Sequence, residues 1–147
     1  MTDAERIAAI LDICALKARY FRTLDTKDWV AHEAVFTPDL VADFGGADGG
    51  EATAPTRGAA NHVGNLAPLL ENVVTVHHGH TPEITVLSPT EATGIWAMED
   101  KLWTQPGSVL PFAFMHGYGH YHERYVKQAD GWRIQAIRLM RLRVDIA

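Results

Sequence analysis

The sequence predicts an α+β fold in which N-terminal helices cover one face of a strongly curved, mainly antiparallel sheet. Apolar residues recur at helical spacing through most of the first 72 residues, while the remainder consists of β-branched and aromatic runs with period-two stretches between turn signals. Helices followed by a long meander imply segregated layers. At 147 residues the chain reads as one domain, 1–147, long enough to bury roughly 68–70% of its unfolded surface.

Thr2 or Asp3 can cap the first helix, whose predicted stripe is Ile7, Ile10, Leu11, Cys14, Ala18, Phe21 and Leu24. A second helix is expected from Asp28 to before Pro38, with Trp29, Val30, Val35 and Phe36 facing inward. Leu40 to Phe44 reads as a short strand, Gly45 to Gly58 as a flexible glycine-rich loop, and Ala59 to about Glu71 as a third helix. The strands expected after it are Val73–His80, Glu83–Leu87, Glu91–Trp103, Ala113–Lys127 and Trp132–Val144. Ser88-Pro89-Thr90, Gln105-Pro106-Gly107-Ser108 and Ala129-Asp130-Gly131 supply the turns. A sheet this long, curled under helices, forms a cone with an unfilled interior, the kind of concave apolar space that takes small molecules.

Composition narrows the function. Hydrophobic content of 47% and charged content of 21% are ordinary for a globular protein, and a formal charge of −5 argues against nucleic acid, which needs a basic face. No apolar run approaches the roughly 18 residues of a membrane span, and the acidic start lacks a signal peptide's basic region, so a cytoplasmic protein is expected. The single Cys14 lies in the first helical stripe and reads as a small hydrophobe. There is no phosphate loop, nucleophile elbow or Walker pattern.

The candidate chemistry lies in histidines and carboxylates set among apolar residues. Imidazole titrates near neutrality, at about pH 6.5, and one placed beside a carboxylate in an apolar pocket can take and return a proton. Asp25 follows Ile7 by 18 residues, five helical turns, which gives it the azimuth of the first stripe; the plainer reading is a frayed helix end. Tyr20 sits at the stripe's edge, and Lys17, also within it, is expected to snorkel outward. On the Gly94–Trp103 strand, Trp96, Met98, Asp100 and Leu102 share one face, and Glu99 and Lys101 the other. His78 and His80 share a face opposite His77, and His116, Tyr118, His120 and His122 share another. The His78/His80 and His120/His122 pairs raise a metal reading, which requires the two pairs to meet across strands; hydrogen-bonded rim or interface histidines are the preferred reading, and no metal is expected.

Leu16-Lys17-Ala18-Arg19-Tyr20-Phe21-Arg22-Thr23-Leu24-Asp25, followed by Trp29, resembles the first helix of SnoaL-like proteins of the nuclear transport factor 2 superfamily. His77-x-Gly79-His80-Thr81-Pro82-Glu83-Ile84-Thr85 and Ala92-Thr93-Gly94-x-Trp96-x-x-Glu99-Asp100 resemble bile-acid 7α-dehydratases in particular. Tyr121-x-x-x-Tyr125 and Asp130-Gly131-Trp132-Arg133-Ile134 are similar to the superfamily's last hairpin. The resemblance implies a cofactor-independent acid–base site formed by Tyr20, Asp25, His77 and Asp100, and it selects His77 among the neighbouring histidines. Where the dehydratases carry a second tyrosine, this chain has Phe44, so His116, Tyr118 or His120 is expected to supply the missing donor.

The resulting expectation is a lyase of the dehydratase type acting on a hydrophobic cyclic or aromatic molecule. His77 would be the base, Asp25 its orienting partner, Tyr20 a polarising donor and Asp100 a second acid. Phe44, Trp96, Met98, His116, Tyr118 and His120 would line the substrate space. Double-bond isomerisation, or a polyketide cyclase or hydrolase reaction, needs the same parts, and a non-catalytic ligand-binding or assembly domain is the alternative of another class. Arg138, Met140, Arg141, Leu142 and Arg143, with Trp103, suggest a sheet face buried in a homo-oligomer, a trimer by resemblance or else a dimer.

Overall fold

The computed structural model describes residues 1–45 and 54–147. Most of the expected Gly45–Gly58 loop therefore lies outside the described residues. Helix α1 spans Asp3–Asp25, α2 Trp29–Glu33 and α3 Ala59–Leu69; the strands are β1 Phe36–Asp43, β2 Thr56–Arg57, β3 Val73–Ser88, β4 Glu91–Thr104, β5 Phe114–Gln128 and β6 Gly131–Ile146. They form a six-stranded sheet in the order β2-β1-β6-β5-β4-β3, antiparallel throughout except for the parallel β1–β6 pair. Helices on one face of a curved, mainly antiparallel sheet are the predicted architecture.

Thr2 starts α1 with a reciprocal capping box: its hydroxyl accepts the Glu5 amide, and the Glu5 carboxylate accepts the Thr2 amide at 2.7 Å. The buried stripe of α1 is rotated from the expected one. Ala9, Ile13, Leu16, Tyr20 and Leu24 face the core, whereas Ile7, Leu11 and Ala18 are exposed. Cys14 is partly buried against the core.

The remaining boundary differences fall around two prolines. The expected second helix ends at Glu33, and Phe36 opens β1, which runs through Pro38; Val30, expected inside, is exposed. The β1–β6 register shifts between Phe36 and Val41, so Pro38, which has no amide hydrogen, falls where the ladder is interrupted. Likewise, the two strands expected around Thr81-Pro82 are one strand, β3, with a register shift between His80 and Glu83. Gly79 within it lets the helix approach closely: a Cβ there would meet the Phe21 ring at 2.7 Å.

At the centre of the cone Lys17 does not snorkel. It is fully buried and ion-paired with Glu123, and its ammonium lies 3.7 Å from the Tyr20 ring centroid and 3.8 Å from that of Tyr121. Tyr125 donates to the other Glu123 oxygen at 2.5 Å and accepts from Trp96 Nε1 at 2.8 Å. Burial lowers the Lys17 pKa to about 8, with the attraction of Glu123 opposing it. Removing one partner strands a buried charge, which costs about 3–5 kcal/mol. Lys17→Met should accordingly unfold at much lower denaturant, and Lys17→Met/Glu123→Gln should recover more than half of the loss; a double variant no more stable than the single would refute this account.

Candidate active site

The end of α1 and the first half of β3 meet at Asp25. Its carboxylate accepts three hydrogen bonds: the Thr75 hydroxyl at 2.9 Å, the His77 backbone amide at 2.9 Å and His77 Nδ1 at 2.6 Å. Because a carboxylate only accepts, Nδ1 is the donor to Asp25, the tautomer in which the lone pair of a neutral imidazole falls on Nε2. Nε2 lies 4.0 Å from Asp100 Oδ2. The His77 side chain is 9% exposed, against 59% and 57% for His78 and His80, which face the opposite side of the sheet.

Asp25 reaches this place by a different route from the one its spacing suggested. Ile7, which shares its azimuth, is exposed, so the helical stripe is not what turns Asp25 inward. β3 passes the end of α1 and presents Thr75, the His77 amide and the His77 ring to the carboxylate.

Asp100 points inward from β4 with Trp96, Met98 and Leu102, the face that alternation gave. Its partner was not foreseen. Arg141 grips it with two parallel bonds, Nη1 to Oδ1 at 2.9 Å and Nη2 to Oδ2 at 2.8 Å. Burial opposes the Arg141 charge, and the Asp100 bonds outweigh it, so the guanidinium pKa is raised. Arg141 had been grouped with the outer strand face. The register shift between Arg124/Tyr125 on the β5–β6 pair, which leaves Gln135 as the extra residue of β6, changes its alternation, so that Ile137, Leu139 and Arg141 face inward. The alternation of Ile137, Leu139 and Arg141 was the signal that could have found it.

His77, Asp100 and Arg141, with Asp25 behind His77, line a cavity of about 190 Å³ whose walls include Leu24, Phe44, Leu66, Leu70, Leu102 and Leu139. Tyr20 and Tyr121 stand at its polar end with His77, Asp100 and Arg141. Burial is the main cause that raises both tyrosine pKa values, so each hydroxyl keeps its proton, and the two interact with each other, with Tyr121 the donor to Tyr20. Phe44 lines the cavity as expected and stacks on His62 with ring centroids 5.2 Å apart.

Five expected lining residues do not reach this cavity. His116, Tyr118 and His120 lie on the outer face of β5, because Asp100 pairs with Gly117 and the inward residues of β5 are therefore the odd-numbered ones, Tyr121 among them. His116 Nε2 instead meets Glu99 at 2.9 Å, and Tyr118 meets His116 Nδ1 at 3.1 Å. Trp96 and Met98 face inward but belong to the core, away from the cavity lining. Tyr121 and Arg141 supply the inward polar groups in place of the outer trio. Among the described residues, no group of three or more His, Cys, Asp or Glu is arranged to hold a metal ion, and no helix is long and apolar enough to cross a membrane.

The fold and this site define a SnoaL-like domain with the nuclear transport factor 2-like cone. The chain belongs to that family, whose SnoaL-like domain matches residues 5–138. Two relatives carry provisional names. A cyclase of Gibberella zeae is 26% identical over 133 residues, covering 86% of each chain. A scytalone dehydratase structure from Novosphingobium aromaticivorans is 16% identical, with a TM-score of 0.86 over 99% of this chain and 92% of that one. A protein of unknown function from Mycobacterium tuberculosis is 29% identical, with a TM-score of 0.78 over 95% of this chain and 75% of its own.

Two predictions follow from the packing around the site. A Cβ on Gly117 would lie 2.0 Å from Arg141 Nη1 and 2.2 Å from Asp100 Oδ1, so Gly117→Ala should break the fork and lower the thermal midpoint; a midpoint equal to that of the parent would contradict it. The second concerns His32 and His62, whose Nε2 atoms are buried without partners. Burial pushes their pKa values down to about 3 and about 4, and the fold holds both neutral. Below about pH 6.5 the unfolded chain binds protons that the folded chain refuses, so stability present above that pH is lost as pH falls. The loss is roughly 2 kcal/mol per histidine by about pH 5. Denaturation at neutral and acid pH should show it, and His62→Phe should lose about half as much as the parent on acidification.

Proposed function

We propose that the domain is a cofactor-independent lyase that eliminates water from a hydrophobic cyclic molecule. The observation that carries this reading is the 2.6 Å contact from His77 Nδ1 to Asp25, which leaves Nε2 as a free base at the polar end of an apolar cavity. The dehydratase-like motifs around Tyr20, Asp25, His77 and Asp100 support the same reading.

In this mechanism His77 Nε2 removes a proton from carbon next to an electron-withdrawing group. The C–H electron pair becomes the new C=C bond and the C–O bond breaks. The imidazolium returns its proton to the departing oxygen, and water leaves. Asp25 fixes the tautomer and balances the imidazolium, as an orienting carboxylate does in a dyad. The Tyr20–Tyr121 pair donates to the carbonyl or leaving oxygen, taking the place of the tyrosine absent at Phe44. Asp100 has both oxygens on Arg141, so its part is to add negative charge near Nε2; the second-acid role is better filled by the tyrosines. Isomerisation uses the same base and returns the proton to a different carbon. Ring closure is a second reading favoured by the Gibberella zeae relative, in which His77 would generate the carbon nucleophile.

General base catalysis contributes about 10²–10⁴-fold. His77→Ala and Asp25→Asn should each reduce turnover by that order while the far-ultraviolet circular dichroism is preserved. The double variant should lose little more than either alone, because the pair acts as a unit, and His78→Ala and His80→Ala should retain near-parental rates. Equal losses from His78→Ala and His77→Ala would sink the assignment of the base. A non-catalytic ligand-binding domain would show no turnover with any ligand that occupies the cavity.

A further inference from the structure

We infer that the cavity takes a neutral molecule built on one ring with an oxygen substituent, and excludes both steroid-sized and anionic molecules. The placing of the oxygen at the polar end rests on the elimination reading; the limits on size and charge do not.

Size follows from the volume. An apolar cavity of about 150 Å³ takes benzene, and drug-sized ligands occupy roughly 300–1,000 Å³. The cavity here, at about 190 Å³, accommodates one ring with one or two small substituents. Its inner walls, Leu24, Leu70, Leu102 and Leu139, are buried in the core, and its more exposed side is formed by Phe44, Leu66, Leu69 and Met115. The four fused rings suggested by the bile-acid dehydratase resemblance exceed this space.

Charge follows from the pairing. Among the described residues lining the cavity, Arg141 is the one with a fixed positive charge, and both of its terminal nitrogens are bonded to Asp100. Lys17 lies behind the Tyr20 and Tyr121 rings, ion-paired with Glu123. Asp25 adds a further carboxylate beneath His77. A carboxylate or phosphate entering this space would be desolvated with no uncommitted cation to meet it, a costly step. A carbonyl or hydroxyl needs only a hydrogen-bond donor, and the paired Tyr20 and Tyr121 hydroxyls provide one.

The test is calorimetric titration of the intact protein and of its His77→Ala variant with phenol, cyclohexanone, 2-naphthol, a four-ring steroid ketone, benzyl alcohol and benzoate. Phenol and cyclohexanone should bind, 2-naphthol and the steroid ketone should bind at least about tenfold more weakly than phenol, and benzoate at least about tenfold more weakly than benzyl alcohol. Leu139→Ala, which enlarges the wall, should raise the affinity for 2-naphthol relative to phenol. A steroid ketone that binds as tightly as phenol, a preference for benzoate over benzyl alcohol, or failure of both one-ring probes to bind would overturn the inference. Binding is measured apart from turnover, so the two readings fail separately. Oxygenated one-ring compounds that bind but never react would defeat the elimination mechanism alone, and a steroid that binds and reacts would defeat the size limit alone.

Discussion

The site depends on one carboxylate. Asp25 stands at the last residue of α1 and gathers a hydroxyl, a backbone amide and a ring N–H from two residues of β3. These bonds tie the helix layer to the far edge of the sheet, since β3 is the terminal strand of the order and otherwise pairs only with β4. They also determine which imidazole nitrogen is basic. A single set of hydrogen bonds thereby connects tertiary packing to the protonation state of the group facing the cavity.

Around that anchor the cone holds its buried charges in matched pairs. Lys17 with Glu123 occupies the centre, and Arg141 with Asp100 the cavity wall. In a low-dielectric interior an unpaired charge is expensive, whereas a bidentate or ring-flanked pair is tolerated. Among the described residues lining the cavity, the pairing leaves His77 as the one base without a partner on its inward nitrogen within hydrogen-bond distance. It also leaves two tyrosines whose hydroxyls burial keeps protonated. Polar groups committed to one another cannot compete for a substrate, so the cavity is chemically simple despite the number of ionisable residues around it.

The sequence made much of this legible because its local rules were strong. Alternation along β4 placed Asp100 correctly, and the parity of β3 separated His77 from His78 and His80, although only the motif resemblance selected His77 as the base. What could not be read was register. Placing His116, Tyr118 and His120 inside required knowing that Asp100 pairs with Gly117, a fact carried by the pairing of two strands rather than by either one. Arg141 was hidden for a related reason, since a bulge at Gln135 changes the parity of β6 ahead of it. The helix stripe failed through amphipathic ambiguity. Ile7 and Leu11 fit a helical pattern as well as Ala9 and Ile13 do, and only the packed sheet distinguishes them.

The irregularities that defeated sequence reading are also the ones that build the site. A perfectly regular β6 could not direct both Ile134 and Arg141 to the same face, because seven residues apart they fall on opposite sides of a flat strand. The register shift at Gln135 lets β6 bury Trp132 and Ile134 in the core and still deliver Arg141 to Asp100. Gly117 is needed beneath them for the same reason, as a side chain there would occupy the space of the fork itself. A bulge and a missing Cβ make room for a charged pair where an ideal sheet would present only an apolar wall. In this cone the departures from regular pairing are the means by which an all-purpose fold acquires a polar end to its cavity.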